Sequence, residues 1–507
     1  MRGHRTQTGV LVVGGGLTGL TATLLLRAHG VAATLVEKRS STSPQPKARR
    51  LHMRSMEIFR QLGLAGMVHQ AARDLAGHDH MAAGMTLADA QRLPLWQPGG
   101  AAEPAVVPSP EPPCLLSQDI LEPLLRDAAV DAGADVRFDT ELAGYEQSDD
   151  GVDAELLSRR TGRPSGLTAR YLIAADGAGS PVRESLGITR IGNGFVGRPN
   201  TSVYFCADLG DVVRGREFNL CQITDPEASG ALASVDGRRR WVFMSPDADT
   251  ARDWPTLLRR ALGVPAPDLQ IMSVLAWRAE MLVADRYRAD RVFLAGDAAH
   301  VMPPFAANGA NTGIADAHNL AWKLAAVLDG QARDPLLDSY DAERRPAGWF
   351  AADESTRRTR QIRDGSTPDP TLAHPYVLAT GGFQYTAGAL ITSPALLDDP
   401  EPITRFEPRG RIGTRVPHRW LDAALTRSTI DLAGPHWAIL TGRRSADPPV
   451  EAGRPRLDVR GVDFHRIDAA DFLDDGELVL LRPDHIVAWR GTDPGSAFDA
   501  LRTILNP

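Results

Sequence analysis

A chain of 507 residues exceeds what one ordinary hydrophobic core organises, so two or three domains are expected. Its 43% hydrophobic and 23% charged content is that of a globular protein, and a net charge of −7 gives no whole-chain attraction to nucleic acid or to an anionic membrane. No stretch approaches the ~20 apolar residues of a membrane span, and three cysteines without metal-ligand spacing imply neither a metal site nor a disulfide framework, which suits a reducing cytoplasm.

Arg2, His4 and Arg5 precede an uncharged run from Thr6 to Leu26 that imitates a signal peptide. Three consecutive glycines spoil that apolar core and a second strand follows, so the run reads as a fold element. From Gly9 to Lys38, GVLVVGGGLTGLTATLLLRAHGVAATLVEK reads strand, glycine turn, helix, strand. Gly14, Gly16 and Gly19 supply G-x-G-x-x-G, with Leu17 and Thr18 between the last two, ahead of a helix over Leu20 to Ala28. The first glycine makes the tight turn, the second lets backbone approach a pyrophosphate, and the third permits close helix packing. Phosphate charge then meets a helix N-terminus. Glu37, followed by Lys38, is placed to accept hydrogen bonds from a ribose diol and would repel a 2′-phosphate, so the site suits FAD or NAD better than NADP.

Next, Met53, Met56, Phe59 and Leu62 are spaced by threes along a helix that ends near Gly63. Residues 73 to 113, rich in Gly and Pro, are expected to be irregular. Ser117 to Gly133 is an amphipathic helix with Ser117 or Asp119 near its start. A second G-x-G-x-x-G, at Gly192, Gly194 and Gly197, is expected to be a loop, because no helix follows to hold phosphate. Across residues 190 to 283, short β-rich runs alternate with turns and predict a mainly antiparallel domain. RVFLAGDAAH then returns to strand, loop and helix, with the helix read from Asn311. Gly365 to Arg411 reads as a linker, and the last ~100 residues as a small α/β unit.

Three separated motifs coincide: the fingerprint ending in Glu37, the run YLIAADGAGSPVRESLGI, and RVFLAGDAAHVMPP followed by NTGIADAHNLAWKLA. In that order the chain resembles the group A flavoprotein monooxygenases, the family of para-hydroxybenzoate hydroxylase, phenol hydroxylase and the aromatic polyketide hydroxylases. Its tail (GTRVPHRWLD, DLAGPHWAILTG, LVLLRPDHIVAWRG) looks like the thioredoxin-like domain of the phenol hydroxylase and polyketide branch. Lacking any cysteine after Cys221, that domain cannot do dithiol chemistry. The resemblance implies an α/β (α+β) architecture. A discontinuous Rossmann-like FAD-binding domain takes 1–72, 114–189 and 284–385, an interleaved antiparallel-sheet substrate domain takes 73–113 and 190–283, and a thioredoxin-like domain takes 400–507. It implies FAD as cofactor, NADPH or NADH as transient co-substrate, and hydroxylation of an aromatic or polyketide-type molecule with O2 through a flavin C4a-hydroperoxide. A cytoplasmic location follows, with neither nucleic acid nor membrane as partner, and a homodimer is compatible with it.

Carried over residue by residue, the resemblance sets Asp176 and Gly177 near the flavin's pyrophosphate and the nicotinamide's approach. Gly296 and Asp297 meet the ribityl chain, and Pro304 lies near the C4a and N5 edge. Gly309, Asn311, Thr312 and Gly313 present amides to the pyrimidine edge, where reduced flavin carries negative charge that a helix N-terminus favours. Gln118 and Arg183 are further FAD contacts. Read alone, Asp297 would equally be a turn or capping aspartate and Asp176 a turn signal, while His300 is expected to be a packed structural histidine. Three positions depart from the family's pattern. Arg49 stands where phenol hydroxylases carry an acid; it cannot act as a base at neutral pH but could bind a phenolate, a carboxylate or an enolate, or a phosphate. Lys47 replaces an arginine, weakening any bidentate pyrophosphate contact. Ala306 and Ala307 replace paired glycines, narrowing the room for flavin movement. These departures keep two alternatives open: a FAD-retaining non-redox cyclase forming decalins by [4+2] cycloaddition, and a Baeyer–Villiger or epoxidising flavin monooxygenase.

Overall fold

The computed structural model describes residues 6–93, 107–364, 369–392, 404–442, 462–469 and 471–507. An eight-stranded sheet grows around the opening strand Thr6–Val13, whose last four residues are buried because a parallel sheet is covered on both faces. In hydrogen-bonded order it runs Arg288–Ala289, Val292–Leu294, Pro164–Ala174, Thr6–Val13, Ala33–Val36, Asp135–Arg137. Every neighbouring pair is parallel except the outermost, at Arg288–Ala289. A hairpin of Thr140–Ser148 and Gly151–Ser158 continues antiparallel from the early half of Pro164–Ala174. The helix Leu17–Ala28 packs on the helix Asn308–Leu328, which is buried along almost its whole length. Ile314, Ala317, Leu320 and Leu324, at helical spacing, join the core of this sheet. Trp322 and Ala326, on another face, join the core of the C-terminal unit, where Trp322 meets Trp437 edge-on at 5.4 Å.

A second eight-stranded sheet runs His300–Val301, Gln270–Ala284, Arg190–Cys206, Arg240–Ser245, Gly230–Ser234, Leu220–Ile223, Met81–Gly84, Gln91–Arg92. It is antiparallel apart from the pair of Leu220–Ile223 with Met81–Gly84. Two expectations are corrected here. The glycines at 192, 194 and 197 lie inside a long strand rather than in a loop, at its register shifts, with φ of 152°, 65° and 79°. A Cβ at Gly192 would fall 2.2 Å from the Met281 carbonyl, so these glycines let the strand bulge against its neighbour. Within residues 73–113, Met81–Gly84 and, at the sheet's edge, Gln91–Arg92 are ordered strands, held by the sheet rather than by their own weak β propensity, while 94–106 lie outside the described residues.

The C-terminal sheet centres on Trp437–Gly442, parallel to Val462–Ile467 and antiparallel to Leu478–Leu481, which pairs in turn with Val487–Gly491; Pro494–Leu505 is its helix. The segment expected to be a linker is partly packed. Ala373, Val377, Tyr385 and Leu390 are buried, and Arg344 donates to the Tyr385 hydroxyl at 2.9 Å, whereas 365–368 and 393–403 lie outside the described residues.

Buried charges tie the C-terminal unit to the rest. Glu343, on the helix Asp338–Asp364, accepts from Lys323 Nζ (2.9 Å), Asn319 Nδ2 (2.6 Å), the Ala389 N–H (2.7 Å) and both terminal nitrogens of Arg482 (2.9 and 2.8 Å). Arg54, on the helix Met53–Gln61, donates to Glu57, His318, His485 and the Asp484 carbonyl, and Glu57 also pairs with Arg415. No helix among the described residues is long and apolar enough to cross a membrane.

Candidate active site

Between the two large sheets lies a cavity of about 2750 Å³. Its first wall is the glycine turn. A Cβ at Gly14 (φ +111°) would sit 2.2 Å from the Ala175 carbonyl oxygen, and one at Gly19 would sit 1.9 Å from that of Gly14. Both glycines are demanded by the closure of strand on helix. Gly16 differs, for only Glu122 Oε1, at 3.6 Å, lies near its missing Cβ, so this stretch of backbone is bare toward the cavity. Leu17 and Thr18 also line it. Thr18 Oγ1 would be 2.5 Å from a Cβ on Gly296 and 2.3 Å from one on Gly313, so three elements converge on this hydroxyl.

Glu37 ends the second strand and accepts the N–H groups of Gly15 and Arg39, both at 2.8 Å, one on each oxygen. Each carboxylate oxygen keeps further acceptor capacity. Lys38 and Lys47 are exposed on the same cavity. Gln118 lines it too and donates to Glu122 Oε1 at 2.6 Å. Asp176 accepts from Ser180 Oγ (2.6 Å) and the Val182 N–H (3.1 Å), and burial raises its carboxyl above the usual range. Gly177 beside it has φ +87°. Arg183 stands off the cavity wall and donates to the Ala178 and Gly179 carbonyls at 3.0 and 3.2 Å, so it braces this turn instead of reaching the cavity.

The far wall comes from Gly296 to Ala310. Asp297 is exposed into the cavity; the protein around it pushes its carboxyl pKa up, against the pull of His300 and Lys47. Gly296 (φ +60°) is anchored by its N–H to Asp316 Oδ2 at 3.0 Å, and buried His300 donates to the same oxygen at 2.7 Å. His300 is thus scaffold behind the turn. Pro304 lines the cavity, followed by Ala306 (φ 60°) and Ala307 (φ 56°) in left-handed conformations. The long helix starts at Asn308, three residues before the sequence reading, because Ala307 rather than Ala310 breaks its geometry. Gly309 and Ala310 therefore face the cavity, whereas Asn311 and Thr312 turn inward, 7% and 9% exposed.

The floor is the second sheet. Strand alternation sends Val203, Phe205, Cys221, Leu232, Trp241 and Phe243 into a closed core under the helix Trp254–Leu262. The residues between them face the cavity in rows set by the pairing register. One row is Ser202, Met244, Ala231, Gln222, and the next is Tyr204, Val242, Ala233, Leu220. Ala231, small and partly exposed between Met244 and Gln222, leaves the middle of this floor flat, while Ala233 is fully buried. Trp277 donates from Nε1 to Ser202 Oγ at 2.8 Å. Arg240 donates from Nε to the Tyr204 hydroxyl at 2.8 Å and pairs with Asp119 at the start of the helix Gln118–Asp131, fixing the tyrosine ring. Arg49 donates to the carbonyls of Ser234 (2.6 Å) and Asn219 (3.4 Å), and burial pushes its guanidinium down to about 10. Among the described residues its hydrogen-bond partners are main-chain carbonyls, so its cation faces the cavity without a carboxylate partner. Sequence reasoning did not rank Tyr204, Gln222, Arg240 or Trp277. The usable signal was period-two alternation in TSVYFCADL and RWVFMS, which says which residues share a face but not which face is open.

Among the described residues no cluster of His, Cys, Asp and Glu is arranged to hold a metal ion. A bare glycine turn, an acid with spare acceptor capacity and a helix start, arranged around one cavity, suit a dinucleotide. The volume exceeds the ~1000 Å³ upper range of single-ligand sites and leaves room for a second molecule.

A family model described as FAD binding domain matches residues 7–355, and one described as aromatic-ring hydroxylase, C-terminal, matches 409–507. The tetracenomycin A2 monooxygenase-dioxygenase of Streptomyces glaucescens is 38% identical, with 98% of this chain and 96% of the relative covered. Aklavinone 12-hydroxylase of Streptomyces peucetius is 37% identical, with 88% and 93% covered. A solved ternary complex of aklavinone-11 hydroxylase with FAD and aklavinone superposes with TM-score 0.87 at 32% identity, covering 99% of both chains.

Proposed function

The chain belongs to the FAD-binding aromatic-ring hydroxylases and is a FAD-dependent monooxygenase, and from that premise we propose that it hydroxylates a fused-ring aromatic polyketide with NADH or NADPH and O2. The observation that carries the substrate class is the flat cavity floor at Ala231, bordered by Met244, Gln222 and Ser202. Polycyclic rings lie flat on such a surface, and the polar residues at its margins meet ring oxygens. Relatives named for tetracenomycin and aklavinone chemistry support this reading.

When bound, FAD supplies hydride acceptance and oxygen activation. The chain's residues bind and shield. On this reading the Gly14–Gly19 turn faces the pyrophosphate, with Gln118 and Lys47 beside it. Glu37, near Lys38, accepts from the ribose diol, and Asp176 with Gly177 borders the nicotinamide's approach. Asp297 accepts from the ribityl hydroxyls, and Pro304 with Gly309 and Ala310 borders the ring. Asn311, Thr312 and Arg183 support that frame from behind. Arg49 neutralises an oxyanion of the substrate, a phenolate, carboxylate or enolate, which a side chain that stays protonated at neutral pH can hold but not create. We take the FAD-binding domain as 1–72, 114–189 and 284–385, the substrate domain as 73–113 and 190–283, and the C-terminal domain as 400–507. Three free cysteines fit the cytoplasm, and a homodimer remains part of the proposal.

The purified protein is expected to be yellow, and a naphthacene-type phenol should accelerate NADPH oxidation with matching O2 uptake and hydroxylated product. Product formation while the flavin stays oxidised under NADPH would instead establish the non-redox cyclase.

A further inference from the structure

Ala306 (φ 60°, ψ 8°) and Ala307 (φ 56°, ψ 27°) are consecutive residues in a conformation that favours glycine. Such a pair persists only where its surroundings over-determine it. Here the surroundings are three side chains. His52, the residue before the helix Met53–Gln61, donates from Nε2 to the Ala306 carbonyl at 2.8 Å. Asn311 donates from Nδ2 to the Ala307 carbonyl at 2.7 Å and the Arg50 carbonyl at 3.0 Å. Its Oδ1 accepts the His52 N–H at 2.8 Å and the Ser55 hydroxyl at 2.6 Å. The Asn311 amide thus uses both donors and both lone pairs, and it grips the residue that grips Ala306. His52 is 7% exposed, and burial pushes its imidazole down to about 4. It is neutral at physiological pH, and because a carbonyl only accepts, Nε2 carries the ring proton.

We infer that His52 is a positioning residue: through the Ala306 carbonyl, together with Ser55 and Asn311, it latches the loop between Pro304 and the long helix and keeps that edge of the cavity closed to water. The latch rests on the reading that flavin occupies this cavity. It does what paired glycines would make unnecessary, since glycine adopts these angles unaided.

Hydrogen–deuterium exchange on the FAD-loaded enzyme tests it. In His52→Ala, peptides over residues 303–310 should exchange about five-fold faster than in wild type, the scale of one lost hydrogen bond, with the Gly14–Gly19 turn unchanged. The share of NADPH oxidation released as hydrogen peroxide should rise with it. In an Ala306→Gly/Ala307→Gly background the same His52→Ala change should alter both by less than about two-fold. His52→Gln, which keeps an N–H donor, should stay near wild type. Unchanged exchange in His52→Ala, or an equal effect in both backgrounds, overturns the latch. If His52→Ala does not fold, His52→Met against His52→Gln carries the same contrast, and exchange alike in the two overturns it. Failure of the flavin reading would show separately, as a wild-type protein that takes up no FAD.

Discussion

Replacing Glu343 by glutamine removes one negative charge from a point where five donors converge. Burial pushes the Glu343 carboxyl up, but Arg482 and Lys323 outweigh it and hold it at about 2, against an ordinary 4.5. That depression is worth roughly 3 kcal/mol at neutral pH. It matches the about 3–5 kcal/mol that follows removal of one partner from a buried ion pair. Because the folded value lies below the unfolded one, this stability is fully present above about pH 5 and is lost as pH falls from about 4.5 toward 2. Near pH 8, Glu343→Gln should lower the melting midpoint by roughly 6–12 °C, for a cooperative unit of roughly 150–250 residues. By about pH 4 roughly a quarter of the gap should have closed, and by about pH 3 more than half. Melting followed by the fluorescence of released flavin reads both. A variant that melts within about 1 °C of wild type near pH 8, or a gap that does not change with pH, would refute the reasoning.

Other substitutions separate folding from binding. Gly19→Ala forces a Cβ to 1.9 Å from the Gly14 carbonyl and should yield no soluble yellow protein; Gly16→Ala meets no backbone and should fold but bind FAD at least about ten-fold more weakly in a titration. Ala306→Gly/Ala307→Gly should raise the flavin reduction rate in stopped flow and should not lower the melting midpoint, since each left-handed alanine carries about 1 kcal/mol of strain. An unchanged reduction rate would remove the idea that the pair restrains the flavin. Ala231→Phe, in the middle of the floor, should abolish substrate stimulation of NADPH oxidation while flavin content stays at wild-type level; retained stimulation would show that substrate lies elsewhere.

The opening strand, turn and helix, the DG and GD turns and the antiparallel character of 190–283 were legible because each rests on local rules: glycine spacing, strand period and helix capping. Other features depend on partners distant in the chain. The helix start at Asn308 was misjudged because Ala306 and Ala307 hold angles that alanine seldom takes, and the cause lies in His52, far away in sequence. The Gly192–Gly197 run reads as a loop until Met281 lies opposite it. Asn311 and Thr312 carry a flavin motif, but the shifted helix register turns their side chains inward. The site's floor was hidden for the same reason, since alternation names two faces and only the packed helix Trp254–Leu262 decides which is closed.

Strand order in the first sheet also bears on how the protein is made. Pro164–Ala174 takes its outer parallel neighbour from Val292–Leu294, and the helix that packs on Leu17–Ala28 starts only at Asn308. A ribosome adding roughly 5–20 residues per second needs about 15–60 s to pass that point. From its own synthesis until then, the opening strand–turn–helix lacks this covering helix and has the helix Gln118–Asp131 to pack on it earlier. A stall near residue 290 leaves that helix unmade, whereas one near residue 420 comes after it.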